Sequence, residues 1–325
     1  MELFREPNID WLGKTKFFAA FSALVVVLGL YTFFLGNKIP FGVDFKEGTI
    51  VYVKFSQGAS AEAIRDAVSK GGIKEARIQG YGAPANNEYL IALESAPNEQ
   101  ALDSGKQAII AALNNSSLAG KYEVRKAEIV GPQVGGQLRK QAVLATVYSL
   151  IGMLVYLAFR FEFIYGLAAV TAVVHDTWFT LMVFSLTNTE ISLTVIAALL
   201  TLIGYSMNDT IVIFDRIREN LKVSRRETLT ELINKSINQT LSRTILTSGL
   251  TFLTVLSLYL FGGEVLHGFS FALVIGILIG TYSSIAVAAP VLVLYDKWKK
   301  SRSGRGMAGK TTESKDSGRR DKVRA

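Results

Sequence analysis

The chain has 325 residues, of which 50% are hydrophobic and 19% charged, with a net charge of +8 and a mean hydropathy of +0.31. It is too apolar and too lightly charged for an ordinary soluble protein of this length, which indicates a membrane protein. The sequence contains no cysteine, which excludes disulfides, thiolate nucleophiles and cysteine-based metal sites. Two histidines, His175 and His267, leave little material for a metal centre.

The first predicted element after a cytoplasmic N-terminus at 1–16 is a transmembrane helix at 17–35. A membrane-spanning helix needs about 20 apolar residues, and this stretch has that length. It is longer than the apolar core of a signal peptide, and no small-residue cleavage pattern follows it. We therefore interpret it as a retained anchor.

A segment of mixed polarity at 36–137 follows the first span, and it is long enough for a small domain of its own. Its pattern alternates between strand-like stretches such as "TIVYVKF" and amphipathic helices such as "SAEAIRDAVSK", in which Ser60 is a plausible N-cap. The resulting order, βαββαβ, predicts an inserted α+β ferredoxin-like domain. Its acidic and basic residues nearly balance, which argues against a nucleic-acid surface.

Five further transmembrane helices are predicted within 138–295, which gives six in all. Their apolar stretches lie at 141–159, 163–186, 191–214, 243–261 and 268–295. The connection near 215–240 has an amphipathic pattern and predicts a helix lying along the cytoplasmic interface, with a solvated linker helix as the alternative. The last segment, 296–325, is rich in lysine and arginine and predicts a disordered cytoplasmic tail.

Basic residues in the short loops predict the orientation of the spans. Lysines precede the first span, Arg160 follows the second, and basic segments follow the fourth and the sixth. Because such residues stay on the cytoplasmic side, both termini are predicted to be cytoplasmic and the inserted domain periplasmic. Arg139 and Lys140, just before the second span, are the one feature that opposes this orientation.

Two polar residues, Asn208 and Asp209, interrupt the fourth span. With Thr201 and Tyr205 they recur at spacings of three and four, which predicts a common helix face turned towards protein. Arg243 at the start of the fifth span is expected at a matched depth, so it can pair with Asp209 and lower the cost of burying both charges. The alternative is that both residues lie at the interface, with Asp209 solvated and Arg243 reaching the headgroups.

The third span carries His175 and Asp176 near its middle. They are candidates for a proton relay, or for a hydrogen bond that holds helices together. A metal-dependent hydrolase would need more converging ligands than these two and Asp209 provide, and no Gly-rich phosphate loop precedes a Lys-Ser/Thr pair. Enzymatic activity is therefore disfavoured, and no cofactor is expected.

Five segments carry a resemblance to a known family. They are "FGVDFKEGT", "VHDTWFTL", "GYSMNDTIVIFDRIREN", "LSRTILTSGLTFL" and "LYLFGGEVLHGFSFALVIGILIGTYSSI". In this order they resemble the SecF branch of the SecD/SecF family, within the resistance-nodulation-division superfamily. The resemblance implies a six-helix half-transporter in the bacterial inner membrane with a periplasmic ferredoxin-like domain. It also implies pairing with SecD beside the SecYEG channel, with YajC as a further partner and an unfolded exported polypeptide as cargo.

The resemblance further implies that proton flow drives a late, ATP-independent stage of protein export. By position, the family's intramembrane acid corresponds to Asp209 and its basic partner to Arg243. The junction motif that leads into the inserted domain corresponds to Gly42, Asp44 and Gly48, and Glu47 replaces a glycine that is usual in the family. Two alternatives stay open: a proton-coupled exporter of lipids or small molecules, and a passive scaffold of the channel.

Overall fold

A computed structural model describes residues 7–36, 40–45, 48–56, 58–73, 76–80, 86–94, 99–130, 132–224 and 227–308. The polypeptide forms a bundle of long helices, into which a small α+β domain is inserted after the first helix. Within these ranges six helices are long and apolar enough to cross a membrane. The predicted six-span, multi-pass membrane fold is confirmed.

The first membrane helix is α1, Thr15–Phe34, which follows a short 3₁₀ turn at Leu12–Lys14. The next four are α4, Pro132–Arg160; α5, Phe163–Leu186; α6, Leu193–Val223; and α7, Leu229–Phe261. The sixth span consists of α8, Gly263–Ser283, and α9, Ala289–Ala308. A π-helical segment, Ser284–Ala288, joins α8 to α9 without interrupting the span.

The inserted domain is a four-stranded antiparallel sheet with two helices. Its elements are β1, Gly48–Phe55; α2, Ala61–Lys70; β2, Ala76–Gly80; β3, Glu88–Glu94; α3, Glu99–Asn114; and β4, Tyr122–Val130. The strand order is β2-β3-β1-β4, and the predicted βαββαβ order is confirmed. Val51, Val53 and Phe55 alternate along β1 and pack with Ile64 and Val68 of α2, because every second strand residue faces the helices. Ser60 caps α2 as predicted, accepting a hydrogen bond from Ala63 N at 3.1 Å.

Two glycines bring α8 close to α6 in the centre of the bundle. A Cβ atom added at Gly276 would lie 2.5 Å from a Leu202 methyl carbon, and one added at Gly280 would lie 3.2 Å from Ser206 Cβ. Small residues at a helix interface allow such close packing inside a membrane. The helices α5, α6 and α8 are therefore the most buried of the bundle, whereas α1, α4 and α7 expose more of their surface.

The amphipathic connection after the fourth span is not a separate helix along the membrane surface. Helix α6 continues to Val223, and α7 begins at Leu229 with a reciprocal cap between Thr228 and Glu231. The predicted amphipathic stretch is thus the first part of the 33-residue helix α7. Its apolar positions Leu232, Ile233 and Ile237 are buried in the helix core, so protein covers the face that was expected to lie on lipid.

The basic tail is helical where it begins. Helix α9 runs to Ala308, and Lys300 forms an ion pair with Asp296 one turn earlier, at 2.8 Å. The described part of the tail, 296–308, is thus helical, and disorder stays a prediction for the residues beyond it. Residues 309–325 lie outside the described part of the chain.

The segment before α1 is fixed to the first turns of α7 by two asparagines. Asn234 Oδ1 accepts from the backbone nitrogens of Trp11 and Leu12, at 3.1 and 3.0 Å. Asn238 exchanges hydrogen bonds with the backbone of Ile9. The Gly13 backbone N–H and then the Asn234 side chain hold the pKa of Asp10 below its usual value. These contacts anchor the N-terminal part of α7, the helix that also carries Arg243.

Candidate functional site

The acid of the fourth span faces its neighbouring helix. Asp209 on α6 is 2% exposed, and its Oδ2 accepts a hydrogen bond from Ser248 Oγ of α7 at 2.7 Å. A hydroxyl group carries no charge, so it satisfies the carboxylate as a donor without neutralising it. Asp209 is thus enclosed by protein, but no cation among the described residues is in direct contact with it.

Arg243 is a neighbour of Asp209 and not its contact partner. Its side chain is exposed on α7, five residues before Ser248. Its charge is close enough to act on the Asp209 carboxylate. The two described side chains nevertheless form no ion pair within 4.0 Å of each other. The predicted partner Arg243 therefore acts on Asp209 without contacting it, and Ser248 occupies the contact position.

The polar residues of α6 do not all share one face. Thr201, Gly204 and Asn208 are exposed at spacings of three and four, whereas Asp209 is buried and Tyr205 is partly buried. Successive residues of a helix point about 100° apart, so Asn208 and Asp209 cannot point the same way. The prediction of one common face is wrong: α6 has a polar face on the bundle surface and a separate buried acid.

A second acid, Asp176, is enclosed by three helices. It is 0% exposed on α5, and its Oδ2 accepts hydrogen bonds from Ser206 Oγ of α6 at 2.6 Å and from Ser283 Oγ of α8 at 2.7 Å. His175 Nδ1 lies 3.3 Å from Asp176 Oδ1. The sequence prediction named His175 and Asp176 but missed both serines, for which "GYS" and "TYSS" were the signals.

The junction motif contacts the turn between α5 and α6. The Gly42 backbone nitrogen donates to Ile191 O at 2.8 Å, and a Cβ at Gly42 would lie 3.0 Å from that oxygen, so a larger residue would require the turn to shift by a few tenths of an ångström. Asp44 Oδ2 accepts from the backbone nitrogen of Leu193, the first residue of α6, at 2.9 Å. Gly48 begins β1, and Glu47 lies outside the described residues.

One ion pair joins the sheet domain to the same turn. Arg77 Nη1 of β2 lies 2.8 Å from Glu190 Oε1, and both side chains are partly buried. The domain thus contacts the start of α6 through its junction motif and through an edge strand. Within the described ranges no three histidine, aspartate or glutamate side chains are grouped so that they could hold a metal ion.

Comparisons with a family model and with individual proteins identify the same family. The family described as protein export membrane protein SecD/SecF, C-terminal, matches residues 110–298. The chain is 50% identical to the protein translocase subunit SecF of Koribacter versatilis, with 100% of both chains covered. It is 40% identical to the SecF of Vibrio alginolyticus, over 87% of this chain and 89% of the other.

The solved structures that resemble this chain belong to the same family. The crystal structure of SecDF from Thermus thermophilus, described as a translocon-associated membrane protein, is similar with a TM-score of 0.77 and 36% identity. The similarity covers 90% of this chain and 39% of that chain. SecDF in a super-membrane-facing form has a TM-score of 0.71, over 94% of this chain and 41% of the other. This chain therefore spans about two fifths of the solved SecDF chains.

Proposed function

Because this chain belongs to the SecD/SecF family of protein export membrane proteins, we propose that it couples proton flow to a late, ATP-independent stage of protein export. Its relatives are named as protein translocase subunits, which supports a role as one subunit of a transport assembly. In this proposal Asp209 takes up and releases the proton, Arg243 sets the balance between its two states, and the sheet domain acts on the emerging polypeptide.

The observation that carries the proposal is the incomplete pairing of a buried acid. Asp209 has a hydroxyl donor in contact and the charge of Arg243 beyond contact distance. Burial favours the neutral form of a carboxyl group, and a nearby cation favours the charged form. A site with both influences changes its protonation when a helix moves slightly. Arginine keeps its proton throughout, so Asp209 is the group that titrates.

The exposed polar face of α6 supports a second six-helix partner. Thr201, Gly204 and Asn208 are exposed on the bundle surface, and Arg243 is exposed on α7, a helix that packs against α6. Charged and amide groups are costly against lipid, so we propose that SecD covers this face in a heteromeric complex. The solved SecDF chains, of which this chain matches about two fifths, leave room for such a half.

The junction provides a mechanical link between the sheet domain and Asp209. Asp44 holds the first residue of α6, Gly42 contacts Ile191 before it, and Asp209 lies further along the same continuous helix. A rigid helix of 31 residues transmits a tilt from one end to the other. Protonation of Asp209 would therefore reposition the sheet domain against the exported chain.

Substitution of Asp44 by alanine tests this link. Ser192 caps the same helix by accepting from Val195 N at 3.3 Å, but it is not part of the junction motif. Each substitution removes one hydrogen bond to a backbone N–H at the start of α6, worth about 1 kcal/mol, and Ser192→Ala also removes a contact with Thr194 Oγ1 at 2.7 Å. We expect Asp44→Ala to reduce gradient-stimulated export strongly and Ser192→Ala to reduce it little, measured at equal protein levels. Equal reductions would mean that only helix capping matters at this position.

The available driving force suits small repeated steps. Each proton that crosses the membrane releases ~2.3 kcal/mol per 100 mV. This energy can bias helix packing, but it is smaller than the roughly 5–15 kcal/mol that stabilises a folded domain. Each cycle therefore moves or holds an unfolded segment of the exported chain. The SecYEG channel supplies the path across the inner membrane, and YajC is an additional partner.

Orientation is tested with single cysteines, since the chain has none of its own. We propose that both termini are cytoplasmic and that the sheet domain is periplasmic. A cysteine at Ser104 of α3 should then react with an impermeant reagent added to sealed cells, and one at Ser303 of α9 should react only in inverted vesicles. Labelling of both positions from outside would contradict this orientation.

Two other functions make different demands on the structure. A proton-coupled exporter of lipids or small molecules would need a conduit within or beside this half, and its transport would not depend on SecYEG. A passive scaffold would have no use for the buried acid at Asp209. The proton-coupled translocase subunit accounts for the acid, the exposed polar face and the junction together.

Export into inverted membrane vesicles tests the proposal. Vesicles that lack this chain should translocate the first part of a preprotein with ATP but fail to complete it on a proton gradient after ATP is removed. Restoring the chain together with SecD should restore completion, and either subunit alone should not. Completion at equal rates with and without the chain would exclude the proposed role.

A further inference from the structure

Asp176 is a buried acid that the proposed function of Asp209 does not use. Asp176 is a residue of α5 and contacts Ser206 on α6. Asp209 is a residue of α6 and faces Ser248 of α7 instead. Asp176 is 0% exposed, and no described lysine or arginine forms an ion pair with it. An ionised carboxylate in such a place is unfavourable unless a proton or a cation compensates it.

The hydrogen bonds around Asp176 allow one exchangeable proton. Oδ2 faces the hydroxyls of Ser206 and Ser283, and Oδ1 faces His175 Nδ1. His175 Nε2 is buried and has no partner among the described groups. The carboxyl group of Asp176, by contrast, has a hydrogen-bond partner at each oxygen, so a proton placed on it remains hydrogen-bonded.

Ser283 has two acceptors within reach of its single hydroxyl hydrogen. Its Oγ lies 2.7 Å from Asp176 Oδ2 and 3.1 Å from the carbonyl oxygen of Gly280. When Asp176 is ionised it can only accept, so Ser283 donates to it. When a proton binds to Oδ2, the carboxyl O–H can donate to Ser283 Oγ, and the serine hydrogen turns to Gly280 O.

The carbonyl of Gly280, one turn before the π-helical segment, accepts hydrogen bonds from the first residue of that segment. It already accepts from the backbone nitrogen of Ser284 and from Ser284 Oγ at 3.0 Å. A carbonyl oxygen has two lone pairs, so a third donor from Ser283 competes with the bonds of Ser284, the first residue of the π segment. Single π turns within α-helices occur often at functional sites, where local hydrogen bonding is rearranged easily.

We propose that Asp176 is a second proton-binding site, separate from Asp209, and that Ser283 transmits its protonation to the π segment of the sixth span. Ser284 Oγ also lies 2.9 Å from Thr210 Oγ1 of α6, next to Asp209 in the chain. A change in the π segment therefore reaches the helix that carries the first acid. The proton site itself does not depend on the role proposed for Asp209.

Few other titratable groups face this site. His175 lies on the same helix, and the Tyr282 ring of α8 lies 6.3 Å from the His175 ring, with its hydroxyl donating to Phe18 O of α1. Asp209 on α6 is turned to α7. The charged residues of α1 and α4 lie away from the middles of those helices, those of α9 begin only at Asp296, eight residues beyond the π segment, and the π segment has none.

Infrared difference spectra recorded at two pH values test the proton site. The full chain, reconstituted with SecD in lipid vesicles, should show the carbonyl band of a protonated carboxyl group. We expect Asp176→Asn to lose this band and Asp209→Asn to retain it. Ser206→Ala, which removes one donor from the same carboxyl group, should shift it. A band unchanged in both Asp176→Asn and Ser206→Ala would overturn the assignment to Asp176.

Hydrogen exchange of the backbone amides at 284–288 tests the transmission. In the unsubstituted chain their exchange should change with pH over the range in which the Asp176 band changes. We expect Ser283→Ala to keep the band but to lose the pH dependence of exchange. Ser270→Ala is the matched control, because Ser270 is equally buried on α8 but donates to Leu266 O. Exchange that still follows pH in Ser283→Ala would overturn the transmission through Ser283.

Discussion

Asp209→Asn is expected to abolish the stimulation of export by a proton gradient while the complex with SecD still assembles. Asparagine has nearly the size of aspartate, and its amide oxygen can still accept the hydrogen bond from Ser248 Oγ, which is 2.7 Å long in the unsubstituted chain. The amide does not titrate, so the substitution removes the proton-binding step and leaves the packing of α6 against α7. At 100 mV the lost driving force is ~2.3 kcal/mol per proton, or about fifty-fold in an equilibrium.

The matched control is Asp215→Asn on the same helix. Asp215 is exposed and forms a 3.5 Å ion pair with Arg160, a type of contact that typically contributes about 0–1 kcal/mol. We expect this variant to export normally with and without a gradient. Ser248→Ala should have an intermediate effect, because it removes the hydrogen bond of Asp209 but leaves a group that can titrate.

Export into inverted vesicles, with the gradient imposed or collapsed at matched subunit levels, measures these effects. Asp209→Glu keeps a titratable group one methylene further out and should retain part of the response. A full response in Asp209→Asn would show that another group carries the proton, and Asp176 would then be the first to examine. A loss of assembly in Asp209→Asn would instead assign Asp209 to helix packing.

The architecture could be predicted from the sequence because the patterns that indicate its helices and strands each extend over many residues. Six apolar stretches, and an alternation of strand and helix patterns between the first two, each extend over many residues, so the six spans and the βαββαβ domain follow. The proximity of Asp209 and Arg243 also followed from their depth along two antiparallel helices. Ser60 was identified because a cap is set by residues that are adjacent in the chain.

Features that depend on which helices touch were harder to predict. The pattern of Leu232 and Ile237 shows an apolar face but not whether lipid or protein covers it, and the structure places protein there. Ser206 and Ser283 meet Asp176 from helices 30 and 107 residues away, a convergence that no local pattern encodes. Asn208 and Asp209 are neighbours in sequence, yet one is exposed and the other buried.

Arg243 is expected to be needed for gradient-driven export, with methionine more harmful than lysine. Arg243→Met removes the cation that acts on Asp209, so among the described groups Ser248 alone would stabilise the ionised carboxylate. Such a site is expected to hold its proton through the cycle and to stop coupling. Arg243→Lys keeps the charge, but loses the planar group that can grip a carboxylate through two bonds when the helices approach, so it should retain only part of the response.

The double variant tests whether the two residues act as one unit. If they do, Asp209→Asn combined with Arg243→Met should be no worse than Asp209→Asn alone, because each single change already removes the same coupling step. Arg218→Met is the matched control, since Arg218 is an exposed arginine of α6 that donates to the backbone of Arg160 and lies over the Phe161 ring. We expect it to export like the unsubstituted chain. Separate losses that multiply in the double variant would show that Arg243 acts elsewhere, for example on the partner half, and not through the proton of Asp209.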